Sequence, residues 1–232
     1  MERGRTEVLC KIKDQAVVNR AINDICILLK CSRHHLNVAY MIPVCVEEVK
    51  DIVSVAQYIL VVEKETVFQR LANDKFCDRN HCIGRGYPDV STRRFLQRIV
   101  KQLHLPVYCL VDFDPYGFDI LTTYRFGSMQ LAYDAKLMRV PEIRWLGAFS
   151  SDFEKYKLPE RCLLSLTTED KKKAEAMLSR CYLHQEAPQW RLELEIMLHK
   201  GLKFEIEALS ALSLSFLSDA YIPLKIKEGG HI

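Results

Sequence analysis

The sequence predicts an α/β chain built on a parallel sheet, and three observations carry that expectation. Tyr58-Ile59-Leu60-Val61-Val62 is a short uninterrupted apolar run, as expected of a strand buried on both faces. Residues 106–111 form a second clear strand. Between and beyond them, apolar residues recur every three or four positions, so strands alternate with helices in βαβ units.

Taken in order, residues 1–13 show no periodicity and lack the apolar centre of a signal peptide. From 14 to 29, Val17, Val18, Ala21, Ile22, Ile25, Leu28 and Leu29 mark an amphipathic helix. Residues 31–42 read as a loop with at most a short strand. After the first apolar run a helix is expected over 65–73. Asp89-Val90-Ser91 starts the next, because Asp and Ser cap well, and Phe95, Leu96, Ile99, Val100 and Leu103 form its buried face. Pro115-Tyr116-Gly117 turns the chain into a helix over 118–124, and residues 143–149 hold one further strand. Thr167 with Asp170 is a capping signal for a helix reaching Arg180. Pro188 opens a helix that Gly201 ends, and another is expected over 202–212.

Composition bounds the class. The chain has 232 residues, 49% hydrophobic and 27% charged, which suits a globular protein able to bury a core without disulfide staples. The net charge of +3 does not announce a nucleic-acid binder. Locally, however, Arg79, Arg85, Arg93, Arg94, Arg98 and Lys101 face only Asp89, an excess that suits phosphate or simply a solvated helix face. Nine cysteines without a C-x-x-C pair fit free thiols in a reducing, intracellular compartment. The groups Cys77, His81, Cys82 and Cys31, His34, His35 match no common zinc module. No apolar run approaches a membrane span.

Three carboxylates fall where a parallel sheet binds ligands, at the carboxyl ends of its strands. Glu63 follows the first strand, and Asp112 and Asp114 end the second. Clustered, they would repel one another unless a cation bound, and Mg2+ takes such oxygens while keeping waters for phosphate to replace. Helix caps and turn acids are the alternative, since Asp-x-Asp-Pro is also good turn chemistry. Gly84-Arg85-Gly86-Tyr87-Pro88-Asp89 lets backbone approach a phosphate that a guanidinium grips, or is an ordinary turn. Lys64, Glu65 and Arg70 are candidates to support Glu63, or simply a solvated helix start.

In this order, Val61-Val62-Glu63-Lys64-Glu65, then Gly84-Arg85-Gly86-Tyr87-Pro88-Asp89 with Thr92-Arg93, then Val111-Asp112-Phe113-Asp114-Pro115-Tyr116-Gly117 resemble the Toprim domain of the A-type topoisomerase VI subunit. Tyr124-Arg125-Phe126-Gly127-Ser128-Met129 and Arg144-Trp145-Leu146-Gly147 resemble its eukaryotic relatives, the meiotic double-strand-break transesterases, most closely the plant form. The resemblance implies a Toprim-type sheet flanked by helices over 46–232, with a helix-rich C-terminal part, after a partial winged-helix remnant over 1–45. It implies Glu63, Asp112 and Asp114 as Mg2+ ligands, and Arg85, Gly86, Arg93 and Arg94 beside double-stranded DNA. It implies a nuclear, DNA-cleaving type IIB topoisomerase-like enzyme, a homodimer or a dimer with a paralogous subunit, whose tyrosine attacks a phosphodiester. Each site of that dimer joins one subunit's tyrosine to its partner's metal. A topoisomerase VI B-like subunit would supply the ATP-binding function.

The sequence also departs from that pattern. No tyrosine precedes Tyr40, so no catalytic nucleophile is assigned. The wing expected between Asn37-Val38 and Ala39-Tyr40 is missing, and Cys82-Ile83-Gly84 leaves too few residues for a parallel strand of about five. A truncated or alternatively spliced form, or a faulty gene model, incapable of cleavage alone, is therefore expected. Two other readings stay open: a non-catalytic regulator that dimerises with complete subunits, and a metal-dependent Toprim nuclease.

Overall fold

The computed structural model describes residues 46, 52, 54–78, 80–84, 86–128 and 136–232, all within the unit Pro43–Ile232. The helix expected over 14–29, the winged-helix remnant and Arg85 lie outside the described residues.

The sheet is the predicted one. Four parallel strands take the order β2-β1-β3-β4, with β1 (Ile59–Val62) and β3 (Val107–Leu110) at the centre. Every side chain of both central strands is buried, which is why the sequence there shows no polar alternation. β1 pairs with β3 from Ile59↔Val107 to Val62↔Leu110, so both strands end level and deliver Glu63 and Val111 to the same edge. β2 (His81–Ile83) has three residues, as its short apolar run requires, and pairs with β1 through Val61↔Ile83. β4 (Arg144–Gly147) closes the far side.

Helix α1 (Glu65–Asn73) matches the predicted span and buries Val67 and Leu71. In α2 (Val90–Leu103) the Asp89 carboxylate accepts from the Thr92 N–H at 2.6 Å, and the helix stops at left-handed His104. Helix α3 (Pro115–Phe126) begins three residues earlier than expected. Proline suits the first helical position, where its missing N–H has no partner to lose. Asp114 satisfies the next two donors, accepting from Tyr116 and Gly117 N–H at 2.8 and 2.7 Å. Phe118 of α3 packs edge-on against Trp145, which meets Phe149 and Trp190 at 5.1 and 6.2 Å between ring centres. Such pairs add roughly 0.5–1.5 kcal/mol each beyond area burial.

Beyond β4 come α4 (Asp152–Lys155), β5 (Leu164–Ser165), α5 (Thr168–Leu178), α6 (Cys181–Glu186) and α7 (Pro188–Lys200). The Thr167–Asp170 capping box and the Gly201 stop stand as the sequence predicts. The helix expected over 202–212 does not form. Gly201, in the left-handed conformation, turns the chain, and β6 (Leu202–Lys203) pairs antiparallel with β5. Phe204 then exchanges backbone hydrogen bonds with Phe113, and only Ile206–Ala211 coils, as a 3-10 helix. Pairing with β5 and with Phe113 overrides local helix preference there. A π-helical turn, Leu217–Tyr221, runs into α8 (Ile222–Lys227).

Candidate metal and nucleic-acid site

The equal ends of β1 and β3 bring two of the acids together. Glu63 Oε2 accepts the Asp112 N–H at 2.8 Å, while the Glu63 N–H donates to Leu110 O at 3.0 Å. Asp112, 4% exposed, accepts the Ile206 N–H at 2.8 Å, and its other oxygen meets Lys64 Nζ at 3.0 Å. Asp114 uses Oδ1 to cap α3. Gly117 is required: a Cβ there would come within 2.8 Å of Glu63 Oε2 and 2.6 Å of Asp112 O.

The electrostatics show a site with too much negative charge in too little water. Burial, then the Asp112 charge, push the Glu63 carboxyl up to about 8. Burial pushes Asp112 up to about 6 against the opposing pull of the Ile206 N–H and Lys64. Asp114 is raised by burial as well, despite its two capping bonds. Lys64 leans on Asp112, Glu205 and Glu207, and despite partial burial these partners hold it protonated more firmly than a free lysine. Of Glu63, Asp112 and Asp114, its direct partner is Asp112, and its charge also eases the ionisation of Glu63.

Among the described residues no three His, Cys, Asp or Glu side chains converge as a ready-made metal cage. The donor chemistry nevertheless fits Mg2+: three neighbouring carboxyl groups, all oxygen donors, whose ionised forms disfavour one another. Two carboxyl groups are partly committed, Asp114 as the helix cap that the sequence offered as its alternative and Asp112 to a lysine. The Cys77, His81 and Cys82 group forms no metal set either, since His81 and Cys82 are neighbours on β2 and point to opposite faces.

The glycine loop sits beside the acids. A Cβ at Gly84 would collide with the Val62 carbonyl, and Gly86 takes φ +67°, a left-handed conformation that only glycine adopts freely. The Gly86 N–H donates to Glu63 O at 2.5 Å. Arg93 is 1% exposed, because it shares the inward face of α2 with Leu96 and Ile99. Burial there lowers its pKa, and its Nε and Nη2 find no hydrogen-bond partner. The surface phosphate contact expected of Arg93 is therefore not what this placement offers. Arg94, on the adjoining side, is half-buried. The sequence reading missed Asp119, where Tyr87, Lys173 and Arg180 meet, and the buried pair Asp152–Lys225. A lone acid five positions along a helix carries no spacing signal, since its partners lie 32 to 61 residues away.

Residues 58–226 match the TOP6A-Spo11 Toprim family, the Toprim domain shared by the A-type topoisomerase 6 subunit and Spo11. The chain is 66% identical over 252 residues to "Meiotic recombination protein SPO11-1" of Oryza sativa subsp. indica, covering 95% of this chain and 66% of that one. It is 62% identical to the Arabidopsis thaliana protein of the same description, covering 93% and 68%. It is 36% identical to the A-type DNA topoisomerase 6 subunit of Arabidopsis thaliana, covering 93% and 58%. The chain thus spans about two thirds of the Oryza relative's length. The 252 aligned residues exceed the chain's own 232, so that relative carries internal residues without a counterpart here.

Proposed function

This chain belongs to the TOP6A-Spo11 family, and on that premise we propose that it serves DNA double-strand-break formation in meiotic recombination. In this reading Glu63, Asp112 and Asp114 hold Mg2+, and Gly86 and Arg94, with Arg85, lie along double-stranded DNA. The chemistry such an ion supplies is polarisation of a phosphate oxygen and orientation of the DNA backbone. The chain's own part is to hold the phosphate near three carboxylates while a tyrosine hydroxyl attacks. That tyrosine comes from a complete or paralogous partner subunit in a dimer, because no matching tyrosine is assigned in this chain, and a topoisomerase VI B-like subunit couples ATP. The nucleus is the compartment that such work requires. No helix among the described residues is long and apolar enough to cross a membrane.

The observation that carries the metal reading is the meeting of Glu63 and Asp112 at the carboxyl ends of the central strands, with Asp114 two residues on, each less acidic than a free carboxyl. Thermal unfolding with and without Mg2+ tests it. A ligand that binds only the folded chain at about 100 times its Kd adds about 2.7 kcal/mol, a rise of several degrees in Tm. Asp112→Asn is expected to abolish most of that rise while keeping the Ile206 N–H bond through its amide oxygen. An Mg2+-indifferent parent, or a variant that responds equally, contradicts the assignment.

The DNA contacts have a separate test. Arg85→Ala and Arg94→Ala should each lower affinity and reduce the log–log salt slope by about 0.9. Arg93→Ala should instead lower Tm and leave that slope in place. Equal slopes in all three variants would return these arginines to a structural role.

The Lys64–Asp112 contact favours a second reading, because it already neutralises one acid without a metal. The chain would then be a non-catalytic protein that dimerises with complete subunits and lowers break formation in the mixed dimer. Co-purification without any loss of breaks would count against it.

A further inference from the structure

We infer that Asp119 is a positioning residue that, through Tyr87, sets the spacing of the carboxylates at the head of the sheet. This rests on the metal-site reading above and adds a residue to it. Gly86 is fastened to the main chain of Glu63 through its N–H. The next residue, Tyr87, reaches the other way, and its hydroxyl donates to Asp119 Oδ2 at 2.9 Å. Asp119 lies on α3, the helix that Asp114 caps, about 7.5 Å along the axis at 1.5 Å per residue. Gly117 of the same helix packs against the Glu63 carboxylate. The connections close a ring. Glu63 holds Gly86, Tyr87 holds Asp119, and α3 returns through Gly117 to the Glu63 side chain. Loosening the Tyr87–Asp119 bond leaves the glycine loop and α3 free to part, and the acids with them.

Asp119 is itself unsuited to be a ligand. Its Oδ2 also accepts from Lys173 Nζ at 2.8 Å, and its Oδ1 accepts from Arg180 Nη1 at 3.0 Å. Three donors need an ionised carboxylate; an amide in its place turns one end into a donor facing another donor. Burial works against the charge, but Lys173, Tyr87 and Arg180 together keep its pKa below that of a free aspartate. Their two positive charges also stop Asp119 from adding to the repulsion among Glu63, Asp112 and Asp114. Lys173 Nζ stands 4.8 Å from the Tyr116 ring centre and 5.9 Å from that of Tyr87, so one ammonium steadies the rings on both sides of the site.

Tyr87→Phe keeps the ring and removes only the hydroxyl, and Asp119→Asn removes the charge. The Tm of each chain is measured without Mg2+ and across an Mg2+ titration. A hydrogen bond to a charged group is strong enough that its loss should raise the Mg2+ concentration at half-maximal shift by roughly tenfold. The Mg2+-free Tm of Tyr87→Phe should stay within about 4 °C of the parent. A merely structural bond gives the opposite pattern, a lower Mg2+-free Tm with unchanged half-saturation, and that result overturns the inference. So do variants that titrate like a responsive parent. A parent that ignores Mg2+ overturns the metal-site reading, and this inference with it.

Discussion

Asp152→Ala is expected to destabilise the domain by about 3–5 kcal/mol, the range for removing one partner of a buried ion pair. Asp152 is 1% exposed and Lys225 4%, and their charged atoms lie 2.8 Å apart. The same carboxylate accepts from Tyr221 Oη at 2.6 Å and the Phe149 N–H at 2.9 Å. Alanine would strand an ammonium, a hydroxyl and an amide together, with the Phe149 ring centre 3.9 Å from the nitrogen. The surface pair Lys155–Glu228, at 3.6 Å and about half exposed on both sides, should matter far less. Burial lowers the Lys225 pKa, and the Asp152 charge opposes that fall. Without Asp152 the folded pKa falls further below the unfolded one, so the unfolded chain binds more protons and the variant gains stability as pH rises. Adding Lys225→Met should restore most of the loss. Urea unfolding of both variants measures this, and a single-variant loss under about 1 kcal/mol would mean that the pair is wetter than its geometry indicates.

The pair matters because of what it fastens. Asp152 opens α4, just after β4, and Lys225 and Tyr221 bring α8 and the π-helical turn onto it. A Cβ at Gly147 would strike the Tyr221 hydroxyl, so the strand and the turn meet without space for a side chain. None of this was legible in the sequence. The partners stand 69 to 73 residues apart where they cross from one element to the other, and no local period links them.

What was legible has a physical signature that survives in one dimension. Ile59 to Val62 and Val107 to Leu110 read as strands because burial on both faces removes every polar residue. Asp89, Thr167, Pro188 and Gly201 read correctly because caps act within three residues of themselves. Residues 202–212 misled because their partners, Leu164, Ser165 and Phe113, are distant, and pairing decided their conformation. The acids were read from their position at strand ends, and the fold places Glu63 and Asp112 there together. Their division of labour was not, since only the fold shows Asp114 capping α3, Lys64 crossing to Asp112 and Glu63 supporting the Asp112 backbone. Arg93 misled for a related reason. Its charge suggested solvent, while its phase on α2, shared with Leu96 and Ile99, placed it inside.

Glu63→Gln is expected to eliminate the Mg2+ response and yet leave the metal-free chain as stable as the parent or more so. With its carboxyl pushed from 4.5 up to about 8, Glu63 is largely protonated at neutral pH when no cation is present. Glutamine copies that neutral shape and can still accept the Asp112 N–H. The sign of the pH dependence follows. Between 4.5 and about 8 the folded chain binds more protons than the unfolded one, so parent stability falls as pH rises through that window. Glu63→Gln should flatten this fall, leaving the smaller contribution of Asp112, which ends near pH 6. Metal and proton compete for one carboxylate, so Mg2+ should raise the parent's Tm more at the alkaline end of the window than at the acid end. A parent whose Mg2+ shift is independent of pH, or a variant that keeps the shift, would remove Glu63 from the ligand set. The expected result makes Glu63 an ionisable group whose charged form, disfavoured by burial and by Asp112, is called up only by a cation. That is why a glutamine, the better choice for the fold alone, would be the worse one for the site.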